Sequence, residues 1–387
     1  MEFYYSCSEC GKIYDIIPER MVCDICRAKQ EPEKPLKGVL EVHFRQTTGE
    51  KTAGVHLDIH SLLPVEERYF PPIPVGNTPL WEPKNLRVKT GFPNLFIKDD
   101  TANPTGSYKD RASFLVAGFA LKHKIKEIAV ASTGNAASSM AGVGAAAGLK
   151  VTIFLPEFSP KAKMVQALQF GAKVNRVRGT YGEAYRLSLE YSQDRGILSR
   201  NTAYNPLTIE GKKSSSLEIF NQLGGKMPDY VFVPVGDGVI LGGVYKGFED
   251  LIQLGLTDRI PVIYAVQAEG SSAISRAKER GDFESPVKST TLADSISVEV
   301  PANGYYALKK LNRHGGKCLI VSDSEILKAQ KELSATTGLF AEPAAAASLA
   351  GFLKEKDKLR SDATVVLMIT GTGLKDIESA MKALSIR

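Results

Sequence analysis

The chain has 387 residues, a formal net charge of +6 and 43% hydrophobic residues, a balance that suits two or three globular domains folding without covalent staples. No run reaches the roughly 18–20 apolar residues of a membrane span, and the opening residues lack the basic flank and apolar run of a secretory signal. Four of the five cysteines fall within the first 26 residues, a cluster and not a disulfide framework, so a reducing, cytoplasmic setting is expected. The mild positive charge suits anionic substrates or weak nucleic-acid contact but decides nothing; no nucleic-acid or membrane partner is expected.

In chain order, the first block reads Cys7-x-x-Cys10, twelve residues, then Cys23-x-x-Cys26. Each pair forms a tight knuckle, and two pairs offer four thiolates to one tetrahedral zinc. Two redox pairs, or idle thiols, are the other reading. Four protein ligands leave no open coordination position, so such a zinc is structural. Residues 1–30 are read as a zinc-ribbon-like module. A Lys/Glu/Pro-rich stretch from Glu31 to Pro35 and a proline-rich run over 64–83 follow, and 31–75 is read as an extended connector.

From about residue 95 the texture alternates. Apolar, β-branched runs predict strands at Leu95–Lys98, Glu127–Ser132, Lys150–Pro156, Ala172–Val177, Asp229–Gly236, Pro261–Gln267, Cys318–Ser322 and Thr364–Thr370. Helices are predicted over Asp110–His123, Ala136–Gly148 and Pro160–Gly171. Such alternation argues for parallel α/β sheets, two of them at this length.

Four segments carry candidate chemistry. In Asn103–Arg111 (NPTGSYKDR), Ser107 and Asp110 are spaced as a capping box, which places Lys109 in a first helical turn. There the helix dipole disfavours an ammonium, as a Schiff-base lysine requires; a lysine near a helix start is otherwise a solvated surface group. Ser132, Thr133, Gly134 and Asn135 lie between a strand and a small-residue helix, where amides and hydroxyls cradle an anion such as a carboxylate, or merely cap a turn. Gly236–Gly243 (GDGVILGG) also follows a strand and opens a helix. It suits a phosphate but lacks the dinucleotide Gly spacing, since position 241 is Leu. Thr370–Asp376 (TGTGLKD) follows the last strand, at the sheet end where α/β proteins bind ligands.

Taken together and in this order, these segments, with Asn205-Pro206, Glu210-Gly211 and Glu342-Pro-Ala344, resemble the fold-type II pyridoxal-phosphate enzymes and, among them, the threonine synthases. The resemblance runs from about residue 75 to the end. It implies two open sheets with the cofactor cleft between a large domain (76–110 and 201–387) and a small substrate-side domain (111–200), and a homodimer. It implies that Lys109 holds pyridoxal 5′-phosphate and shuttles protons, and that Asn135 meets the phenolic oxygen. By the same resemblance Ser132, Thr133, Gly134 and Asn135 bind the substrate carboxylate. The amides of Gly236, Asp237, Gly238, Val239 and Ile240 receive the cofactor phosphate, and Thr370 meets the pyridine nitrogen. Tyr108 is expected beside the cofactor; Glu342 either lies there too or only starts a helix.

The implied reaction converts O-phosphohomoserine and water to threonine and phosphate. Two departures bear on the substrate. Thr208 stands where threonine synthases typically carry an arginine for the substrate phosphate, and Asp237, Val239 and Ile240 replace a loop that often presents asparagine. Lys212 or Lys213 would supply the cation instead, unless both lie on a solvated helix face. The alternatives are a related lyase or β-replacement enzyme acting on another amino acid, such as serine or threonine, and an inactive zinc-ribbon binding protein.

Overall fold

The computed structural model describes residues 1–45, 56–157 and 161–384. Strands β1 (Glu2–Cys7), β2 (Ile13–Tyr14) and β3 (Leu40–Arg45) form an antiparallel sheet in the order β2-β1-β3. β3 lies inside the stretch read as a connector, which is thereby corrected: Tyr5 pairs with Val42 and Phe3 with Phe44. Leu40, Val42 and Phe44 are buried, the period-two alternation of a half-buried strand. The module is tied to the rest of the chain through Glu41, whose carboxylate lies 3.0 Å from Lys310 Nζ, and through the Leu36 amide, which donates to the Ala302 carbonyl at 3.0 Å.

The remaining strands are β4 (Leu80–Trp81), β5 (Leu95–Asp99), β6 (Glu127–Ala131), β7 (Lys150–Pro156), β8 (Lys173–Val177), β9 (Leu198–Ser199), β10 (Tyr230–Pro234), β11 (Val262–Ala268), β12 (Lys317–Val321) and β13 (Val365–Ile369). They build a six-stranded sheet, β12-β11-β10-β13-β5-β4, and a four-stranded one, β8-β7-β6-β9. All neighbours are parallel except β4, which runs antiparallel to β5. Every residue of β13 is buried, which is why these strands read as unbroken apolar runs and not as alternation. The eight predicted strands agree with the structure to within two residues at each end. The predicted helices appear as Lys109–Lys122, Asn135–Ala146 and Lys161–Gln169; the expected start at Pro160 lies outside the described residues.

Candidate active site

The segment Asn103–Arg111 is held by its own polar side chains. Arg111 is fully buried and grips two carboxylates: Nε and Nη2 donate to Asp100 at 2.7 and 2.8 Å, and Nη2 to Glu218 at 2.8 Å. Glu218 also meets Lys98 at 2.6 Å. Burial alone would raise the Glu218 carboxyl, but Arg111 and Lys98 bring it down to about 2. The expected capping box is absent. Asp110 accepts the Thr105 amide at 2.7 Å and the Thr105 hydroxyl, partners nearer than Ser107. The helix therefore opens at Lys109 itself, and the buried Ser107 hydroxyl has no partner among the described residues.

Gly106 (φ 77°) packs so tightly that a Cβ would meet Thr372 Cγ2 at 2.8 Å. This close approach stitches the loop to the end of β13. The Tyr108 amide donates to the Thr370 carbonyl at 2.9 Å, and the Thr372 amide to the Gly106 carbonyl at 3.0 Å. Lys109 and Thr370 thereby line one cleft with Asn135, Gly236, Asp237, Gly238 and Ile240. Among the described residues the Lys109 amine and the Thr370 hydroxyl carry no ion pair or hydrogen bond.

Six further residues complete the cleft wall: Pro234, Val235, Leu241, Ser295, Ile296 and Glu342. Asn135 Nδ2 donates to Glu342 Oε1 at 3.0 Å and to Ser295 Oγ at 3.1 Å. Glu342 precedes the helix Pro343–Glu355 but makes no side-chain cap, so its carboxylate serves the cleft. Burial raises that carboxyl's pKa, opposed by the bond from Asn135. Ser295 and Ile296 belong to no motif in the sequence, and only the fold brings them in.

Gly236–Ile240 forms the turn between β10 and the helix Val239–Gln253. Gly238 takes φ 85°, and a Cβ on Gly236 would meet Ile296 Cα at 2.8 Å. The Val239 amide is already held by Asp237 Oδ1 at 2.9 Å, and Val239 does not line the cleft. The amides of Gly236, Asp237, Gly238 and Ile240 have no acceptor among the described residues. Buried unpaired donors at a helix start fit a phosphate, and the open lysine amine and threonine hydroxyl fit the aldehyde carbon and ring nitrogen of pyridoxal 5′-phosphate.

Other expected residues stand apart. Ser132 Oγ accepts the Gly134 amide at 3.1 Å; with Thr133 and Gly134 it sits after β6, beside Asn135 but outside the cleft lining. The Tyr108 hydroxyl donates to the Lys212 carbonyl at 2.7 Å, and the ring is buried in a core cluster with Val235, Ile240 and Leu241 without itself lining the cleft. Thr208 donates to the Asn205 carbonyl at 2.7 Å and is fully buried. Lys212 and Lys213 are buried as well, which rules out the solvated helix face. Lys213 is consumed by Asp250 at 2.7 Å and by Glu210, so it is not the missing cation.

At the other end of the chain, the sulfurs of Cys7, Cys10, Cys23 and Cys26 all lie within 4.8 Å of one another, with Cys10 and Cys23 3.7 Å apart. A tetrahedron with zinc–sulfur bonds of about 2.3 Å has edges of about 3.8 Å. The four thiols fit that ion.

The model of the pyridoxal-phosphate dependent enzyme family matches residues 73–371. The threonine synthase of Methanocaldococcus jannaschii is 32% identical over 385 residues, covering 97% of this chain and 94% of that protein. The threonine synthase of Methanosarcina acetivorans is 35% identical, covering 98% and 90%. This chain belongs to the threonine synthase family of pyridoxal-phosphate dependent enzymes. Its fold matches the processed form of threonine deaminase isoform 2 from Solanum lycopersicum with a TM-score of 0.71 at 22% identity, covering 87% of this chain and 95% of that one. In the pyridoxal-phosphate dependent enzymes the cofactor does the electronic work, and among the described residues the cleft at Lys109 presents donors of the kind that would hold it.

Proposed function

We propose that this chain is a threonine synthase, converting O-phosphohomoserine and water to threonine and phosphate in the cytoplasm, as a homodimer. The observation that carries the reading is the match to named threonine synthases over nearly the whole chain, cysteine module included. Supporting it, Lys109 and Thr370 face one cleft with unpaired donors at the Gly236 turn. Pyridoxal phosphate, when bound, draws electrons from the substrate and so acidifies its Cα and Cβ protons. Lys109 is the amine placed to take a proton at Cα and then one at Cβ; phosphate then leaves Cγ, Cγ gains a proton, water adds its hydroxyl at Cβ, and a proton returns to Cα, so both protons taken are given back. Asn135, fixed by Glu342 and Ser295, orients the cofactor's oxygen edge, and Ser132, Thr133 and Gly134 hold the substrate carboxylate. Thr370 offers a neutral hydroxyl to the ring nitrogen. Four thiolates make the zinc structural, without an open position.

The decisive experiment incubates purified protein separately with O-phosphohomoserine, serine and threonine, and assays threonine, phosphate and ketoacids. Threonine and phosphate in equal amounts are expected. Rapid ketoacid release with no threonine formed overturns the reading in favour of a lyase on unphosphorylated amino acids, the alternative that Thr208 favours. Light scattering tests the dimer.

A further inference from the structure

Most fully buried cations in this chain have a carboxylate: Lys98 has Glu218, Arg111 has Asp100 and Glu218, Lys213 has Asp250. Arg200 and Lys212 do not. Arg200, immediately after β9, has only neutral acceptors: Ser113 Oγ at 3.2 Å, Thr202 Oγ1 at 3.1 Å and the Lys109 carbonyl at 3.5 Å. The Lys212 ammonium donates only to the Thr208 carbonyl, at 2.8 Å. Neither has an ion pair among the described residues, although both are 0% exposed. An unpaired buried cation is costly unless an anion joins it.

Each stands behind an element of the cleft without lining the cleft itself. Arg200 lies against the backbone of Lys109. Lys212 packs on the helix that starts at the Gly236 turn, where a Cβ on Gly243 would meet Lys212 Cβ at 2.5 Å. The acid felt by both is Asp237, whose Oδ1 is already spent on the Val239 amide. Burial brings the Arg200 guanidinium down to about 10 and Lys212 well below its usual range, as expected of charges lacking a counter-ion. Thr208, short and turned to the Asn205 carbonyl, leaves its surroundings to the lysine that reaches its own carbonyl.

We infer that Arg200 and Lys212 together form the subsite for the phosphate of the amino-acid substrate, in place of the arginine this chain lacks at Thr208. The inference rests on the proposed function and adds to it a residue pair that determines specificity. A fork and a point charge on one dianion give short, charge-assisted hydrogen bonds that an unphosphorylated amino acid would not satisfy.

The test uses the holoenzyme, with Lys212→Met and Arg200→Gln, and Arg200→Lys as the charge-keeping variant should the glutamine fail to fold. Inorganic phosphate is titrated while melting temperature and competition with O-phosphohomoserine are followed, and cofactor content is read from visible absorbance after dialysis. Phosphate should stabilise the parent and compete with substrate. Each variant should bind phosphate about tenfold or more weakly, and lose about ten- to a hundred-fold in kcat/KM through KM while keeping its cofactor. Parent-like phosphate affinity in the variants, or no phosphate effect in the parent, overturns the subsite. Loss of cofactor on dialysis assigns the pair to the cofactor's phosphate and overturns it too. A parent that turns over no phosphorylated substrate sinks the proposed function instead, while the phosphate titration still decides whether the pair is an anion site.

Discussion

Replacing Arg111 by methionine should be among the most damaging single changes in this chain. It removes a buried guanidinium bonded to Asp100, Glu218, Thr78 and Ser214, leaving two buried carboxylates short of their cation. Bringing the Glu218 carboxyl from its ordinary 4.5 to about 2 corresponds to roughly 3 kcal/mol at neutral pH. Lys98 keeps part of this, and the stranded Asp100 adds to the loss, so about 3–5 kcal/mol is expected, the usual cost of breaking a buried pair. The sign with pH follows. In the parent, Glu218 titrates below its unfolded value, so its stabilisation is full above about 4.5 and lost only as pH falls towards 2. In the variant burial wins, Glu218 takes up a proton in the folded state above its unfolded value, and acid relieves the strain. The stability gap should therefore narrow between pH 7.5 and pH 5. Urea unfolding of the cofactor-saturated proteins at both pH values, followed by the single tryptophan, Trp81, measures it. A gap under about 1 kcal/mol at pH 7.5, or one that widens at pH 5, refutes the electrostatic account.

Lys109→Ala should abolish turnover and the visible absorption of the bound cofactor while circular dichroism stays native; an unshifted band after dialysis would mean that another lysine holds it. Metal analysis of protein purified without added zinc should find one zinc per chain, and Cys23→Ser should lower both metal content and melting temperature. Titration of all the cysteines as free thiols with no metal would contradict the cluster. Glu342→Gln, which copies the neutral form that burial favours, should retain cofactor affinity to within a few-fold, whereas Glu342→Ala frees Asn135 Nδ2 and should weaken it about tenfold. Equal affinities in the two variants, read by dialysis equilibrium, would show that Glu342 has no part in orienting Asn135.

What sequence made legible were features whose cause is local. The eight strands are apolar runs between turn residues, and the paired cysteines announce themselves by spacing. The segment Asn103–Arg111 was recognisable, but its internal wiring was not: Asp110 has an amide and a hydroxyl at Thr105 that outcompete the Ser107 cap. β3 escaped notice because its alternation, Leu40, Val42, Phe44, sits beside a proline- and charge-rich stretch that reads as linker. Glu342, 207 residues from Asn135, was already offered a place beside the cofactor by the family resemblance, but Ser295, 160 residues away, belongs to no motif, and only the folded sheets bring it to Asn135. Lys212 was a candidate for the missing cation in the sequence, beside Lys213, whereas Arg200 looks like an ordinary surface residue there. Only tertiary burial makes Arg200 conspicuous and tells Lys212 from Lys213, which is paired with Asp250.

The pairing of β1 with β3 has a practical consequence for shortening the protein. A cut after residue 30 removes the cysteine knuckles and β1 together but leaves β3, whose inward residues and Glu41–Lys310 contact belong to the remaining body. β3 then presents six residues of unpaired backbone, Leu40–Arg45, and an open apolar edge of this kind recruits strands from other molecules. A shortened chain that clumps would therefore say little about zinc. A truncation that also removes β3 exposes Lys310 and the carbonyl of Ala302 instead, and the cleaner way to ask what the metal does is to keep all three strands and change the sulfurs.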